Sequence, residues 1–240
     1  MQDLKNKVAY VTGGTKGIGY GIAEALVAQG VHVGITGRTA ETVKEAADRL
    51  MKNSPTGARV IGLEADVRDA DAQHAAVKRI VDELGSLDIV IANAGIGHFA
   101  PIDELTAEQF QETVDVNLTG VFHTVKAALP ALKNSEGYLF TIASLAGTNF
   151  FAKGAAYNAS KFGLVGFTQA VMLDVRQDGI KVTTIMPGSV ATHFNEHEPG
   201  PDDAWKIQSE DLGQLVVDLL KMPARTLPSK VEVRPSMPPK

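Results

Sequence analysis

The chain has 240 residues, of which 44% are hydrophobic and 21% are charged, and its formal net charge is −5. This composition is that of an ordinary globular protein, and the length suffices for one large domain with a substantial core. The acidic balance offers no basic surface to nucleic acid, and no run approaches the roughly 18 apolar residues of a membrane span. The polar start, Met1 to Lys7, does not read as a signal peptide, so we expect a cytoplasmic protein with neither nucleic-acid nor membrane partners.

Metal chemistry is not indicated either. The sequence contains no cysteine, which excludes disulfides and thiolate ligands. Its six histidines show no metal-ligand spacing. We therefore expect no metal site.

Short apolar runs alternate with longer helical patterns almost throughout the chain. The predicted strands are Val8 to Thr12, Val31 to Thr36, Ala58 to Leu63, Leu87 to Ala92, Gly137 to Ile142, Lys181 to Met186 and Lys230 to Arg234. The predicted helices cover residues 17–29, 40–53, 69–84, 107–132, 156–177 and 209–221. Because the apolar runs are continuous rather than alternating, we expect strands covered on both faces. The alternation predicts a Rossmann-type α/β fold, a doubly wound parallel sheet of about seven strands with helices on both faces.

No linker, repeat or low-complexity segment divides the chain, so we expect residues 1–240 to form a single domain. One segment, at about 193–208, departs from the pattern because it is polar, contains two prolines and has no clear period. It follows the carboxyl end of the sixth strand, where open α/β sheets bind ligands, and we interpret it as a lid over a substrate cleft. A plain surface loop is the alternative.

The helical pattern from Tyr157 to Val175 is apolar around most of its circumference. Its apolar residues are Phe162, Leu164, Val165, Phe167, Val171, Met172, Leu173 and Val175. Such a helix must be buried on more than one side, and one of these sides can be the sheet. A partner subunit on the other side predicts a homodimer or homotetramer. A helix enclosed within one subunit is the alternative.

A glycine-rich turn follows the first predicted strand and opens the first helix. It reads Thr12-Gly13-Gly14-Thr15-Lys16-Gly17-Ile18-Gly19, a G-x3-G-x-G spacing rather than G-x-G-x-x-G. Glycines allow a tight turn, and the helix N-terminus presents free N–H groups and a positive dipole end to a pyrophosphate. A tight connection without a ligand is possible, but the placement between strand and helix favours nucleotide binding.

Tyr157 and Lys161 lie four residues apart in a predicted helix, so both side chains can point into one pocket. A free tyrosine has a pKa near 10, and a nearby cation lowers it, which gives an acid/base that is usable near neutral pH. Pairs with this spacing also occur by chance on many helix surfaces.

Two further segments lie at the ends of predicted strands. Ser144 lies just past the strand that ends at Ile142, and Asn93-Ala94-Gly95 follows the fourth strand. A hydroxyl at the carboxyl end of a strand can reach a ligand over the sheet, and small residues let the backbone approach a ring or a ribose. Taken alone, a capping serine and a strand-ending turn are the simpler interpretations.

The end of the second strand indicates which dinucleotide binds. In this fold an acidic residue roughly 20 residues beyond the glycines accepts the ribose hydroxyls of NAD. Counting from Gly19, that position falls at about Gly37, which has no carboxylate, and Arg38 follows it. A guanidinium suits the 2′-phosphate of NADP, with Lys16 and Thr39 as further contacts, so we expect NADP(H) rather than NAD(H). An arginine that only begins the next loop is the alternative.

Together these motifs resemble the short-chain dehydrogenase/reductase family from Lys7 to about Pro235. Further matching residues are Asp66, Val67, Asn117, Pro187, Gly188 and Thr192. The resemblance implies that Tyr157 donates the proton in reduction and accepts it in oxidation. It implies that Lys161 holds the nicotinamide ribose and lowers the tyrosine pKa, and that Ser144 polarises the substrate carbonyl. Asn117 would hold a backbone carbonyl and a water that connect Lys161 to solvent.

The cofactor site expected from the turn, the second strand and the resemblance is spread over the chain. Its residues are Gly13, Thr15, Lys16, Gly17, Ile18, Gly19, Arg38, Thr39, Asp66, Val67, Asn93, Ala94, Gly95, Tyr157, Lys161, Pro187, Gly188, Val190 and Thr192. The implied activity is hydride transfer between NADP(H) and a small carbonyl compound or alcohol, with the chemistry supplied by the cofactor.

Two other functions stay open. A 3-oxoacyl-[acyl-carrier-protein] reductase resembles this chain, but such enzymes share a Val-Asp-Gly-Gly ending that here reads Val231-Glu232-Val233-Arg234-Pro235. They also tend to have a basic residue before the Gly-Ile of the sixth strand, where Asp178 would repel an acidic carrier. An NADP(H)-binding regulatory protein is a remoter alternative, since it would lose part of the set Ser144, Tyr157 and Lys161.

Overall fold

A parallel sheet of seven strands is the central element of the computed structural model, which describes residues 3–238. The strands are β1 (Val8–Val11), β2 (His32–Gly37), β3 (Val60–Glu64), β4 (Ile89–Ala92), β5 (Tyr138–Ile142), β6 (Lys181–Pro187) and β7 (Lys230–Val233). The helices are α1 (Gly17–Ala28), α2 (Ala40–Lys52), α3 (Ala70–Leu84), α4 (Ala107–Val114), α5 (Gly120–Ser135), α6 (Ala155–Val175) and α7 (Ser209–Leu220). The order is β3-β2-β1-β4-β5-β6-β7, and every neighbouring pair is parallel. The predicted Rossmann-type fold is confirmed.

The sheet separates two apolar cores, one on each face. In β1, Ala9 and Val11 pack with residues of α1, α2 and α7, whereas Val8 and Tyr10 pack with residues of α3, α5 and α6. Side chains alternate between the faces of a strand. Burial on both faces therefore requires the continuous apolar runs of the sequence.

The direction in which the sheet grows reverses beside β1. The chain first extends the sheet through β2 and β3, and then continues from β4 on the other side of β1. The connections that leave β1 and β4 diverge at this point, which opens a crevice at the carboxyl ends of the two strands. Open α/β sheets bind their ligands in such a crevice.

Local hydrogen bonds define where several helices begin and end. The side chains of Thr39 and Asp69 accept backbone N–H groups of the first turns of α2 and α3. Thr106 and Gln109 form a reciprocal capping box at the start of α4. Helix α3 ends at Gly85, whose φ of 97° suits a residue without a Cβ. These are the side-chain types that begin and end helices in general.

The predicted helix 107–132 contains a π-turn, Asp115–Thr119, between α4 and α5, and it continues to Ser135. The N–H of Gly120 donates to the carbonyl of Asp115, five residues back. A turn of this kind opens the helix locally and is frequent at functional sites. An apolar period of 3.6 residues does not reveal it, so the sequence predicted an uninterrupted helix.

The segment 193–208, which we interpreted as a lid, has internal anchors. Asp203 has a side chain that is only 8% exposed, and it contacts His197 Nε2 at 2.6 Å and forms an ion pair with Lys206. The N–H of Ala191 donates to the carbonyl of Ile207, which ties the end of the segment to its start. A defined loop therefore lies after β6, and its function as a lid stays a prediction.

Helices α5 and α6 expose large apolar side chains. Phe122, Phe162 and Leu173 are 44%, 44% and 54% exposed. Other apolar residues of α6, such as Leu164 and Val175, are buried against the sheet. Helix α6 is thus apolar on a face that the subunit itself leaves uncovered, as the oligomer prediction requires. Among residues 3–238, no helix combines the length and apolar character needed to span a membrane.

We predict a homodimer or homotetramer whose interface includes α6. Light scattering after size exclusion at low micromolar concentration should give a mass two or four times that of the 25.4 kDa chain. Leu173→Glu should lower this mass, because the charge would be desolvated in an apolar interface. Met51→Glu, a matched change at the 42% exposed residue of α2, should leave the mass unchanged. A wild-type mass of 25.4 kDa would contradict the prediction.

Candidate active site

The glycine-rich turn after β1 has a backbone that only glycine adopts readily. Gly13 and Gly17 have φ values of 63° and 58°, in the left-handed region that favours glycine. A Cβ on Gly19 would lie 2.4 Å from the carbonyl oxygen of Gly13. The turn consequently brings its own backbone against the first residues of α1.

The start of α1 is suited to an anion. Lys16 precedes the helix without a side-chain capping bond, and the first turn of this fully described helix has no acidic residue. Its N–H groups and the positive end of the helix dipole are thus available to a pyrophosphate. Thr15 and Ile18 are half-buried beside this start, while Lys16 is exposed. The predicted turn residues are therefore brought together.

Asn93 joins the loop after β4 to this turn. Its Nδ2 donates to the carbonyl oxygens of Thr12 at 2.9 Å and Gly13 at 3.1 Å. In return, the Thr12 hydroxyl accepts the N–H groups of Asn93 and Ala94 at 3.0 and 3.1 Å. A Cβ on Gly95 would lie 3.7 Å from Lys161 Nζ. The Asn93-Ala94-Gly95 segment therefore lies between the glycine-rich turn and the catalytic candidates.

Arg38 lies exposed after the end of β2. Within residues 3–238 its guanidinium makes neither a hydrogen bond nor an ion pair, and its charge contributes to a lowered pKa of the Asp66 carboxyl. Thr39 uses its hydroxyl to cap α2 through Thr42 N at 3.4 Å. The half-buried Gly37 beside Arg38 presents no carboxylate. A phosphate at this position would meet the Arg38 guanidinium, and the nearby Asp66 carboxylate is already bound to Arg68.

Asp66 and Val67 form the rim beyond β3. The carboxylate of Asp66 binds the Arg68 side chain, with 2.6 Å between Nη2 and Oδ2, and this hydrogen bond is the main reason why its pKa lies below the ordinary value. The Val67 side chain is buried, and its carbonyl oxygen bonds with His123 Nδ1 at 3.1 Å. Asp66 is therefore ionised and already has a protein partner, whichever cofactor group it meets.

Lys161 is buried at the centre of the site. Its Nζ donates to the carbonyl oxygen of Ile142 at 2.9 Å and lies 5.7 Å from the centroid of the Tyr157 ring. Burial lowers its pKa to about 8, because desolvation penalises the ammonium form. The predicted Tyr157–Lys161 pair thus shares one pocket.

The pKa of Tyr157 moves in the direction opposite to our expectation. Burial of the phenol raises it above its ordinary value, and the Ser144 hydroxyl acts in the lowering direction. Lys161 was expected to lower this pKa, but in the protein alone desolvation of the phenolate dominates. Tyr157 is consequently a protonated phenol at neutral pH.

Ser144 and Asn117 hold the surrounding loops. Ser144 Oγ accepts the N–H of Ala146 at 3.1 Å and caps a short 3₁₀ turn after β5. Asn117, fully buried in the π-turn, accepts the N–H of Ile96 at 2.8 Å and donates to the Ile96 carbonyl at 2.9 Å and to Ser160 Oγ at 3.0 Å. Its side chain therefore binds the loop after β4 to helix α6.

The segment after β6 returns to the glycine-rich turn. Pro187 ends β6, and the N–H of Gly188 donates to the Val233 carbonyl at 2.8 Å. Val190 bridges to Ile207. Thr192 is buried, and a Cβ on Gly17 would lie 3.3 Å from its Cβ. All predicted site residues are thus found along the carboxyl edge of the sheet.

Sequence reasoning assigned no individual role to four residues that support this edge. They are Thr12, Arg49, Asn158 and Ser160. Arg49 donates to the Thr15 carbonyl at 3.3 Å, and Asn158 Nδ2 donates to the carbonyls of Ala146 and Asn149. Asn158 and Ser160 could have been found, because they are polar residues inside an otherwise apolar helix. Arg49 gave no such signal.

Three comparisons relate this geometry to known proteins. A family model described as short chain dehydrogenase matches residues 7–201. An uncharacterized oxidoreductase of Staphylococcus saprophyticus is 33% identical over 98% of this chain and 100% of its own. An alcohol dehydrogenase from the archaeon Thermococcus sibiricus, complexed with 5-hydroxy-NADP, superposes with a TM-score of 0.90 at 29% identity, covering 98% of this chain and 99% of its own. A 3-ketoacyl-ACP reductase from Sinorhizobium meliloti 1021 gives 0.85 at 34% identity, covering 95% and 97%.

The buried Lys161 makes stability depend on pH in a defined direction. Its pKa of about 8 in the folded chain lies below its ordinary value, so the folded state binds fewer protons than the unfolded state between these two values. Raising the pH from about 7.5 to 9.5 should therefore stabilise the cofactor-free wild type relative to Lys161→Met by about 2 kcal/mol. Urea unfolding of both proteins at the two pH values measures this difference. Parallel pH profiles would exclude the lowered pKa.

Proposed function

The chain belongs to the short-chain dehydrogenase/reductase family, and from this premise we propose that it is an NADP(H)-dependent oxidoreductase of carbonyl compounds and alcohols. It would reduce a ketone or aldehyde to an alcohol, or catalyse the reverse. The supporting observation is the convergence of Ser144, Tyr157 and Lys161 next to the segment Asn93-Ala94-Gly95, which binds the glycine-rich turn. The exposed Arg38 after β2 supports the choice of NADP(H).

We propose that the pyrophosphate binds at the start of α1, between Gly13 and Gly19. The donor chemistry fits, since this helix start has no side-chain cap on its N–H groups, and the glycines of the turn let a phosphate approach the backbone. Asp66 and Val67 would contact the adenine, Asn93 to Gly95 the adjacent ribose, and the segment from Pro187 to Thr192 the nicotinamide. When bound, the cofactor supplies or accepts the hydride.

The chain's own residues would move the proton and polarise the carbonyl. In reduction, Tyr157 Oη donates its proton to the carbonyl oxygen while the carbon receives hydride, and Ser144 Oγ donates a hydrogen bond to the same oxygen. The raised pKa of Tyr157 suits this direction, because the phenol is protonated at neutral pH. In oxidation the phenolate must form, and the Lys161 ammonium, with a pKa of about 8, is the adjacent cation that stabilises it.

Asn117 would act through its backbone. Its side-chain amide is already bonded to Ile96 and Ser160, so the main-chain carbonyls of the π-turn are the groups left for a water that connects Lys161 to solvent. Ser160 Oγ also donates to the Tyr157 carbonyl at 2.8 Å. The side chain of Asn117 therefore positions helix α6 through Ser160, whereas the backbone of its π-turn would bind the water.

A 3-oxoacyl reductase acting on carrier-bound groups remains the second candidate. The similarity to a 3-ketoacyl-ACP reductase from Sinorhizobium meliloti favours it. Asp178, which would repel an acidic carrier, forms an ion pair with Lys133 at 2.9 Å, and this pairing reduces the repulsion that the sequence suggests. Faster turnover of a carrier-bound 3-oxoacyl thioester than of any free carbonyl compound would favour this candidate. Absence of all turnover with bound NADPH would favour a regulatory protein.

We predict that Tyr157→Phe lowers turnover by a factor on the order of 10²–10⁴, the usual loss for a general acid. NADPH fluorescence titration should give a nearly unchanged dissociation constant, because the ring remains. Tyr20→Phe removes the same hydroxyl from α1 and serves as the control, with turnover close to wild type. Retention of most turnover in Tyr157→Phe would show that another group donates the proton.

We predict that the wild type binds NADPH roughly ten- to a hundredfold more tightly than NADH, since a hydrogen bond to a charged group contributes about 1.5–3 kcal/mol. Arg38→Ala should remove most of this difference by weakening NADPH binding alone. Arg79→Ala removes a guanidinium from the surface of α3, where it pairs with Glu83, and should change neither constant. Equal or tighter binding of NADH by the wild type would contradict the cofactor assignment and leave the fold and Tyr157 unaffected.

A further inference from the structure

Two phenylalanines from distant parts of the chain meet at the Tyr157 ring, and a third packs against one of them. Phe99 follows β4, Phe151 precedes α6, and Phe194 lies in the segment 193–208. The ring centroids of Phe99 and Phe194 lie 5.4 and 5.7 Å from that of Tyr157. Phe99 also lies 5.9 Å from Phe151 and 6.3 Å from Phe194. We call Phe99, Phe151 and Phe194 the aromatic wall.

The aromatic wall is exposed as well as clustered. Phe99, Phe151 and Phe194 are 36%, 49% and 37% exposed, unlike the core ring of Phe140, which is 0% exposed. Rings that only fill a core are buried, so this cluster presents an apolar face to solvent beside the reacting phenol. The aromatic wall therefore borders the half-buried ring of Tyr157.

Glycines make room for the rings. A Cβ on Gly97 would lie 2.7 Å from Phe99 Cζ and 2.9 Å from Phe194 Cζ. A Cβ on Gly154 would lie 2.6 Å from Phe151 Cε2. The rings thus pack directly against the backbone of Gly97 and Gly154, and their positions depend on these two residues having no side chain.

Three basic side chains near the aromatic wall have carboxylate partners. His98 Nε2 lies 2.9 Å from Glu112, and Asp203 pairs with both His197 and Lys206. Beside the aromatic wall lie the hydroxyl groups of Tyr157 and Ser144, which are suited to bind a carbonyl oxygen. This environment suits an uncharged substrate more than one with a carboxylate or phosphate beside its carbonyl.

We propose, resting on the function proposed above, that the aromatic wall determines specificity and that the substrate is an uncharged carbonyl compound with an aromatic ring attached to the carbonyl. The substrate ring lies between Phe99 and Phe194 while its oxygen meets Tyr157 and Ser144. Entry of the substrate displaces the Phe194 ring from Tyr157. An aromatic substrate replaces these ring contacts, whereas a saturated one does not.

The matched substrates are acetophenone and cyclohexyl methyl ketone, which share a carbon skeleton and differ in aromaticity. With NADPH, the wild type should show a kcat/KM for acetophenone that is higher by about tenfold, since each aromatic contact contributes roughly two- to tenfold. Phenylglyoxylate, which adds a carboxylate, should be the poorer aryl substrate. Saturation-transfer NMR on the cofactor-free protein should show the same order of binding.

Phe99→Leu and Phe194→Leu should each lower the acetophenone-to-cyclohexyl ratio by about three- to tenfold, mainly through KM. Phe110→Leu, a matched change at the 41% exposed ring of α4, should keep the wild-type ratio. A wild-type ratio of one or less, preference for phenylglyoxylate, or a ratio unchanged in both wall variants would overturn the proposal.

The outcomes separate this proposal from the function on which it rests. Turnover of other carbonyl compounds without turnover of acetophenone would refute the aromatic specificity and keep the oxidoreductase assignment. Tyr157→Phe should lower the turnover of both ketones by the same large factor, on the order of 10²–10⁴, and leave their NMR binding order intact. Oxidation of NADPH with none of the carbonyl compounds would refute the proposed function itself.

Discussion

The hydrogen bonds between Asn93 and the turn after β1 determine where the candidate site forms. Asn93 Nδ2 saturates the carbonyls of Thr12 and Gly13, while Thr12 Oγ1 accepts the two N–H groups that leave β4. These backbone groups lie where the strand order reverses. They are beyond the ends of β1 and β4, so hydrogen bonds between neighbouring strands no longer pair them. Without the two side chains, buried polar groups would lose their partners at a cost of about 1–3 kcal/mol each. The crevice thus has a fixed width before any ligand enters.

The site also contains a residue, Lys161, whose burial lowers the stability of the folded chain. Lys161 is buried with one carbonyl oxygen as its hydrogen-bond acceptor, and its pKa of about 8 reflects the cost of desolvating the ammonium. The apolar contacts of α6 with the sheet, through residues such as Leu164 and Val175, must offset this cost. An ammonium beside a phenol has a chemical use that a purely structural helix does not require.

The sequence predicted the strands well because both faces of the sheet are buried, which makes the apolar runs of β1 or β5 continuous. It also predicted that Ser144 follows the end of a strand, and that the side chains of Tyr157 and Lys161 can share one pocket because they lie four residues apart on a helix. It did not predict the π-turn around Asn117, because one inserted residue changes backbone hydrogen bonds and leaves the apolar period almost intact. The raised pKa of Tyr157 and the meeting of Phe99 with Phe194 depend on three-dimensional neighbours that no local pattern specifies.

Glycines near the crevice and glycines at two distant turns differ in how closely other atoms approach them. The carboxyl edge is crowded, and a single Cβ at Gly19 or Gly97 would collide with neighbouring atoms. Gly57 and Gly85 lie in turns that precede β3 and β4 and have φ values of 73° and 97°. No atom lies within 4 Å of a Cβ placed at either residue. Changes at these turns alter local backbone strain without reaching the crevice. At these two turns, stability can therefore change without altering the crevice, which suits a scaffold that is re-used for many substrates.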